Sequence, residues 1–296
     1  MKSISMVHNF WKIPLCGLMF FLGFIPGSQL AASIGLTAPG LPLGADQVTL
    51  AQYTLLASVI LAFGLSILAR GISGNFFARW MILFWLTWFA YGVNNYLEAA
   101  IFTTMSDVSL YTVALYFPAS LLCSAAVVWL FPSMVQEAEF IPQARSFFEG
   151  RSPGNWAGRL LAAFLAFPVV YLLFGSLISP IVLPYYAEGA NQLTLPGWDL
   201  ILPVAALRSL LFLVVCLPVL ITWKLSDRRL MLSLGLTLFL LVGGLGMLYA
   251  YWLPPILRIT HGLEIFADEM VYTGVLLFLL RKPTGQLKHE FVSAAT

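Results

Sequence analysis

The sequence predicts an all-α, polytopic integral membrane helix bundle of about eight transmembrane helices, with the N and C termini cytoplasmic. Two observations carry this. Hydrophobic residues make up 60% of the 296 residues and charged ones only 9%, where a soluble domain holds roughly 25% charged residues. All but two of the 15 Lys and Arg residues also fall in alternate loops between apolar runs, as the positive-inside rule requires. Eight spans of about 20 residues take up roughly 160 residues, so 1–296 reads as a single transmembrane domain with no room for a large soluble one. The formal net charge of +2 is dispersed among loops and leaves no basic patch for a nucleic acid.

Apolar runs lie near residues 13–34, 50–69, 80–103, 109–132, 158–183, 200–223, 230–253 and 256–280. The first follows Lys2 and Lys12 and ends in Ala31, Ala32 and Ser33. Secretory signals share that pattern, but seven further runs favour an uncleaved helix. Arg70 and Arg79 separate the second run from the third, and Arg145, Arg151 and Arg159 the fourth from the fifth. Lys224, Arg228 and Arg229 separate the sixth from the seventh, and Arg281, Lys282 and Lys288 follow the eighth. The opposite loops carry Asp46, Asp107, Glu188 and Asp199 and no Lys or Arg. An odd number of spans breaks this alternation, so the count and the charges support each other. Tyr185, Tyr186, Trp198, Tyr251 and Trp252 fall at outer ends, and Trp11, Trp80 and Trp223 at inner ends, where aromatic belts are expected.

The inner stretch 133–156 divides the chain into two halves of four spans, 1–132 and 157–282, both starting inside. A parallel duplication fits, with Gly27-Ser28 and Gly175-Ser176 at corresponding points, although ordinary hairpin spacing accounts for them too. Phe140, Phe147 and Phe148 among Glu137, Glu139, Arg145, Glu149 and Arg151 suit a helix on the inner leaflet surface or a plain connector. Pro26, Pro118, Pro168, Pro203, Pro218 and the Gly243, Gly244 and Gly246 cluster interrupt the runs. Small residues admit close backbone approach and prolines bend helices, so tight packing is the first expectation and a hinge the second. Cys16, Cys123 and Cys216 show no Cys-x-x-Cys spacing and read as packing residues.

The charges left over lie inside the runs: Glu98 in the third span, Arg208 in the sixth, and Arg258, Glu264, Asp268 and Glu269 in the eighth. A charge at bilayer depth costs roughly 2.5 to 3.5 kcal/mol even on the lenient insertion scale, so these groups need partners or a wet cavity. At about 100° per residue, His261, Glu264, Asp268 and Tyr272 share one stripe, with Arg258 at its outer edge and Glu269 pointing elsewhere. The same spacing aligns Trp88, Tyr91, Asn95 and Glu98, with Asn94 beside them. Glu98, Arg208 and Glu264 lie at matching depths, roughly 8 to 12 Å below the outer interface at about 1.5 Å per residue. Ser28, Gln29, Ser176 and Ser179 also fall in outer halves. The expectation is one polar cup open to the outside over an apolar floor, with Arg208 meeting Glu264 or Glu98. Its candidate ligand- or proton-binding residues are Glu98, Arg208, His261, Glu264, Asp268, Asn95, Arg258 and Tyr272.

Carboxylates, a histidine and arginines at one depth can hold charge, exchange protons and recognise an ionic head group. The expected function is therefore binding or transport of a small polar or lipid-like molecule, linked to protons, with the lipid bilayer as the surroundings. A structural or assembly subunit of a membrane complex competes with this, although six charges and a histidine exceed what helix registration needs. An intramembrane enzyme using the His261/Glu264/Asp268 cluster also competes, but no Ser or Cys stands in a nucleophile motif. His261 and Glu264 have the i, i+3 spacing of a metal-ligand pair, yet the paired Glu-x-x-His pattern of di-iron bundles is missing, so no metal is assigned. Nucleotide and zincin motifs are also missing, and no cofactor is expected. The expected location is the plasma (inner) membrane of a bacterium.

In a background without the native cysteines, Asp46→Cys, Asp107→Cys and Asn191→Cys should react with a membrane-impermeant thiol reagent in intact cells, and Ser226→Cys should not. Labelling at Ser226→Cys alone reverses the orientation.

Overall fold

A computed structural model describes residues 10–42, 44–104, 106–189 and 192–281. Among the described residues the regular structure is helical: α1 Lys12–Ser33, α2 Gln47–Gly71, α3 Phe76–Phe102, α4 Ser106–Leu130, α5 Phe140–Phe148, α6 Pro153–Ala187, α7 Trp198–Thr222, α8 Asp227–Tyr249 and α9 Pro255–Leu280. The chain is an all-α polytopic membrane bundle. Seven of these helices are long and apolar enough to cross a membrane. The eighth expected span, α9, has 26 residues but carries Arg258, Glu264, Asp268 and Glu269, and it packs between α6 and α8. Lys2, Asn191, Lys282 and Lys288 lie outside the described residues.

Helix starts follow from capping side chains. Asp46 Oδ1 accepts from Thr49 N–H at 2.9 Å, Asn75 Oδ1 from Ala78 N–H at 2.9 Å, and Pro153 and Pro255 open α6 and α9, where a missing N–H costs nothing. The Thr49 bonds hold the Asp46 carboxyl below the usual carboxylate range. That contribution is present at neutral pH and is lost as the pH falls through the lowered value.

Helix ends at the basic side are closed by the loop cations. Lys12 Nζ donates to Leu130 O at 3.3 Å, and Arg79 Nη2 donates to Ala69 O and Phe131 O, both at 2.9 Å. Arg151 and Arg159 donate to the carbonyls of Leu279, Leu280 and Arg281. Each of these carbonyls lacks an intrahelical partner and sits at the negative end of a helix dipole. The residues that mark topology in the sequence are therefore also helix caps.

α1 packs on α2 and α4, and α6 packs on α7 and α9; α2 crosses α8, and α3 crosses α7. At the basic end the α2–α3 and α7–α8 loops pair, Ser73 N–H to Thr222 O at 2.9 Å and Lys224 N–H to Gly71 O at 3.1 Å. Trp223 lies on Gly71 there and is only 2% exposed, so the belt position expected for it is wrong: the paired loops cover the indole. At the other end Thr104 N–H donates to Gln192 O at 3.0 Å and Thr194 N–H to Phe102 O at 2.8 Å. Tyr251 accepts from Asp46 N–H at 2.6 Å. Both α3 and α8 contain a π-helical turn, at Trp88–Val93 and Leu240–Gly244, and the two turns touch.

The stretch 133–156 is not a plain connector. It forms α5, whose Phe147 and Phe148 pack on Trp156 at 5.3 and 4.8 Å while Ile141 stays exposed. Its last residues belong to α6, which starts at Pro153.

Gly23 and Gly27 form a Gly-x-x-x-Gly face that meets Ala119 and Leu115 of α4 so closely that a Cβ on either would overlap backbone. Such faces draw membrane helices together by close van der Waals contact. Gly27→Ala should therefore lower stability by about 2 kcal/mol, in the range of overpacked cores. Gly262→Ala, where a Cβ meets nothing within 4 Å, should leave it equal or higher. Melting of purified protein in detergent measures both.

Candidate functional site

Four helices, α3, α6, α7 and α9, converge around Arg208. Its side chain is 3% exposed and Nη2 lies 2.7 Å from Glu98 Oε1. Nε donates to Asn94 Oδ1 at 2.7 Å. The guanidinium also lies over the neighbouring rings of Phe167 and Tyr171 of α6, 5.1 and 4.9 Å from their centroids. Of the two partners expected for Arg208, the structure has Glu98. The combination uses the planar fork of Arg for hydrogen bonds and its faces for aromatic contact.

α9 supplies the acidic wall. His261 Nδ1 and Glu264 Oε2 are 2.8 Å apart, and His261 Nε2 lies 3.3 Å from the Tyr186 hydroxyl of α6. Tyr186 rests edge-on against Phe102. Gly175 of α6 leaves room for Glu264: a Cβ there would come within 3.3 Å of Oε1. One turn deeper, Asp268 and Glu269 are 5% and 1% exposed, and Asp268 Oδ1 and Glu269 Oε2 have no hydrogen-bond partner among the described residues. Tyr272, fully buried against Phe167, lies below. Exposure runs in the opposite sense: the side chains of Glu98 and His261 are 30% and 21% exposed.

Several expected members sit elsewhere. The π-turn adds a residue to the α3 repeat and rotates the following face. Asn94 and Glu98, one α-turn apart, therefore reach Arg208, whereas Asn95 lies alongside and accepts from Asn94 Nδ2 at 3.3 Å. Trp88 turns to α4, donating to Val113 O at 3.0 Å, and Tyr91 packs on Tyr116. Arg258 donates to Met247 O and Leu248 O at 2.8 and 2.9 Å and closes the end of α8. Glu269, expected to point away from the stripe, is buried, and its backbone carbonyl faces Gly235 of α8. Ser28, Ser176 and Ser179 bond carbonyls of their own helices, and Gln29 is exposed. Phe167 and Tyr171 carry no signal of a site in the sequence, and Gly175 and Tyr186 read there only as a repeat position and a belt aromatic, because aromatic and small residues on an apolar helix are not marked by polarity.

With Arg258 withdrawn, four carboxyl groups face one guanidinium and one imidazole. Such a site can hold positive charge and protons. The Ser209 hydroxyl is engaged by the Phe164 carbonyl. Among the described residues no three His, Cys, Asp or Glu side chains converge as metal ligands. Comparison of the chain with family models, curated proteins and solved structures gives no match in any of the three.

Arg208→Leu should strand the Glu98 carboxylate and cost roughly 3 to 5 kcal/mol, as breaking a buried pair does. The folded yield in detergent should drop sharply, and Glu98→Gln in the same chain should restore much of it.

Proposed function

We propose that the cup binds a small polar or lipid-like molecule bearing a cationic group, taken from the side opposite the basic loops, and exchanges protons with it during transport. The observation that carries this reading is the charge count of the cluster: Glu98 and Glu264, with Asp268 and Glu269 one turn deeper, against Arg208 and the imidazole of His261, with two carboxylate oxygens lacking partners among the described residues. A network meant only to register helices closes its pairs, because a buried charge without one is costly. An ammonium group or protons would balance the excess. The proposed membrane is the plasma (inner) membrane of a bacterium.

The division at 133–156 supports a single dedicated cup. We read the two sets of four spans as repeats, since their helices pack in the same pairs and their π-turns begin at the same distance, to within one residue, after Asn75 and Ser226. In that correspondence Glu98 matches Tyr249, Arg208 matches Ala57 and Tyr171 matches Phe20. The other half thus carries an aromatic cluster of Phe20, Tyr91 and Tyr116 where this one carries charge. Rocking of one half on the other, across the touching π-turns, is the motion that parallel repeats allow.

The structural reading rests on Arg208 itself, whose fork meets Glu98 and Asn94 and which lies against two aromatic rings. A thermal-shift screen of ammonium-bearing, neutral and carboxylate solutes separates the two. Stabilisation should be confined to cations, weaken on acidification as carboxylates take up protons, and fall in Glu264→Gln and Asp268→Asn. A response confined to carboxylate solutes refutes the sign. No response to any solute, together with stable double variants, returns the cup to a structural role.

A further inference from the structure

A second polar concavity lies at the opposite end of the molecule from the cup. Between the start of α6 and the end of α9 is an open groove of about 810 Å³, with Arg151, Arg159 and Arg281 on its walls and Asp227 as the one carboxylate among the described residues that line it. Gly154 and Gly158 form part of its floor, and a Cβ on either would meet no atom within 4 Å. Arg151 and Arg159 reach the terminal carbonyls of α9. Arg281 Nε pairs with Asp227 Oδ1 at 3.0 Å, and its buried Nη1 has no hydrogen-bond partner among the described residues. Burial first, and then the charge of Arg159, hold the Arg151 pKa below its ordinary value. Three guanidiniums around one carboxylate leave an excess of two positive charges.

The groove opens onto an apolar surface. Phe278 at its lip is 82% exposed. Leu161, Leu165, Val169, Leu173 and Leu177, one turn apart along α6, are all exposed, forming a strip of about 24 Å at about 1.5 Å per residue. α6 is the least buried of the candidate spans, at 17%. An occupant must satisfy both parts, an anion between the arginines and hydrocarbon along α6.

We infer that this groove binds the phosphate of an anionic phospholipid, whose acyl chains lie along the exposed strip of α6. Arginine is suited to phosphate by its planar, multiply donating fork. Clusters of basic residues at the end of a span attract anionic lipids in the same way. The open space at Gly154 and Gly158 lets the head group approach the α6 backbone. The site is separate from the cup and does not depend on its function.

The test uses purified full-length protein in nanodiscs of phosphatidylcholine alone or mixed with phosphatidylglycerol, with lipid retention read by native mass spectrometry and stability by melting. Phosphatidylglycerol should be retained in preference and should raise the melting temperature. Arg281→Gln should weaken retention about fivefold, as expected for one basic residue near a lipid surface. Because Arg281 also pairs with Asp227, Gly158→Leu gives a second arm that fills the floor and removes no charge. It should keep the wild-type melting temperature in phosphatidylcholine and lose the response to phosphatidylglycerol. Equal retention of the two lipids, or full retention by both variants, overturns the inference. Stabilisation by soluble glycerol phosphate matching that by the lipid overturns the assignment to a phospholipid.

Discussion

A polar group without a partner is more costly at bilayer depth than anywhere in water, and the architecture of this chain follows from that constraint. Arg208 cannot reach an interface from the middle of α7, so α3 must bring Glu98 and Asn94 to it and α6 must bring two aromatic faces. This one side chain thereby fixes the neighbours of three helices. Backbone groups obey the same rule. Carbonyls at the ends of α2, α4, α8 and α9 are met by Arg79, Lys12, Arg258, Arg151 and Arg159, and the loops at each end pair with one another.

The deep carboxyls are the acidic groups that depart from this rule. Asp268 and Glu269 lie among apolar side chains with oxygens that nothing in the described structure satisfies, directly beneath a half-open rim of Glu98 and His261. Hydroxyls such as those of Thr87, Ser120 and Ser124 are also buried without a partner among the described residues, but they are neutral, and an unpaired carboxylate is far more costly at this depth. The proposed exchange of protons and a cationic molecule gives the surplus carboxyls a purpose.

Close packing and exposed faces divide the labour among the remaining helices. α1 is drawn onto α4 through Gly23 and Gly27 and onto α2 through Gly17, where a Cβ would lie 2.6 Å from Val59 Cα. α6 gives little of itself to the interior and offers a long apolar strip outward. The polar features thus sit at opposite ends, an acidic cup away from the basic loops and an arginine-lined groove among them.

Composition and loop charges by themselves determine that the chain is a membrane bundle, and the apolar runs locate its eight long helices, because burial in hydrocarbon demands long apolar runs whatever their neighbours. The stripe His261, Glu264, Asp268 and Tyr272 is equally readable, since a regular α-helix repeats every 3.6 residues. Tertiary structure alone decided the rest. The π-turn at Trp88–Val93 brought Asn94 onto Arg208 beside the expected Glu98 and turned Trp88 and Tyr91 away, and a uniform repeat cannot foresee that change of face. Arg258 went to the end of α8 instead of the cup, and Trp223 went beneath paired loops instead of a membrane belt. Which carbonyl or ring a long side chain reaches depends on which helices are adjacent, and adjacency is set by packing between segments far apart in the chain.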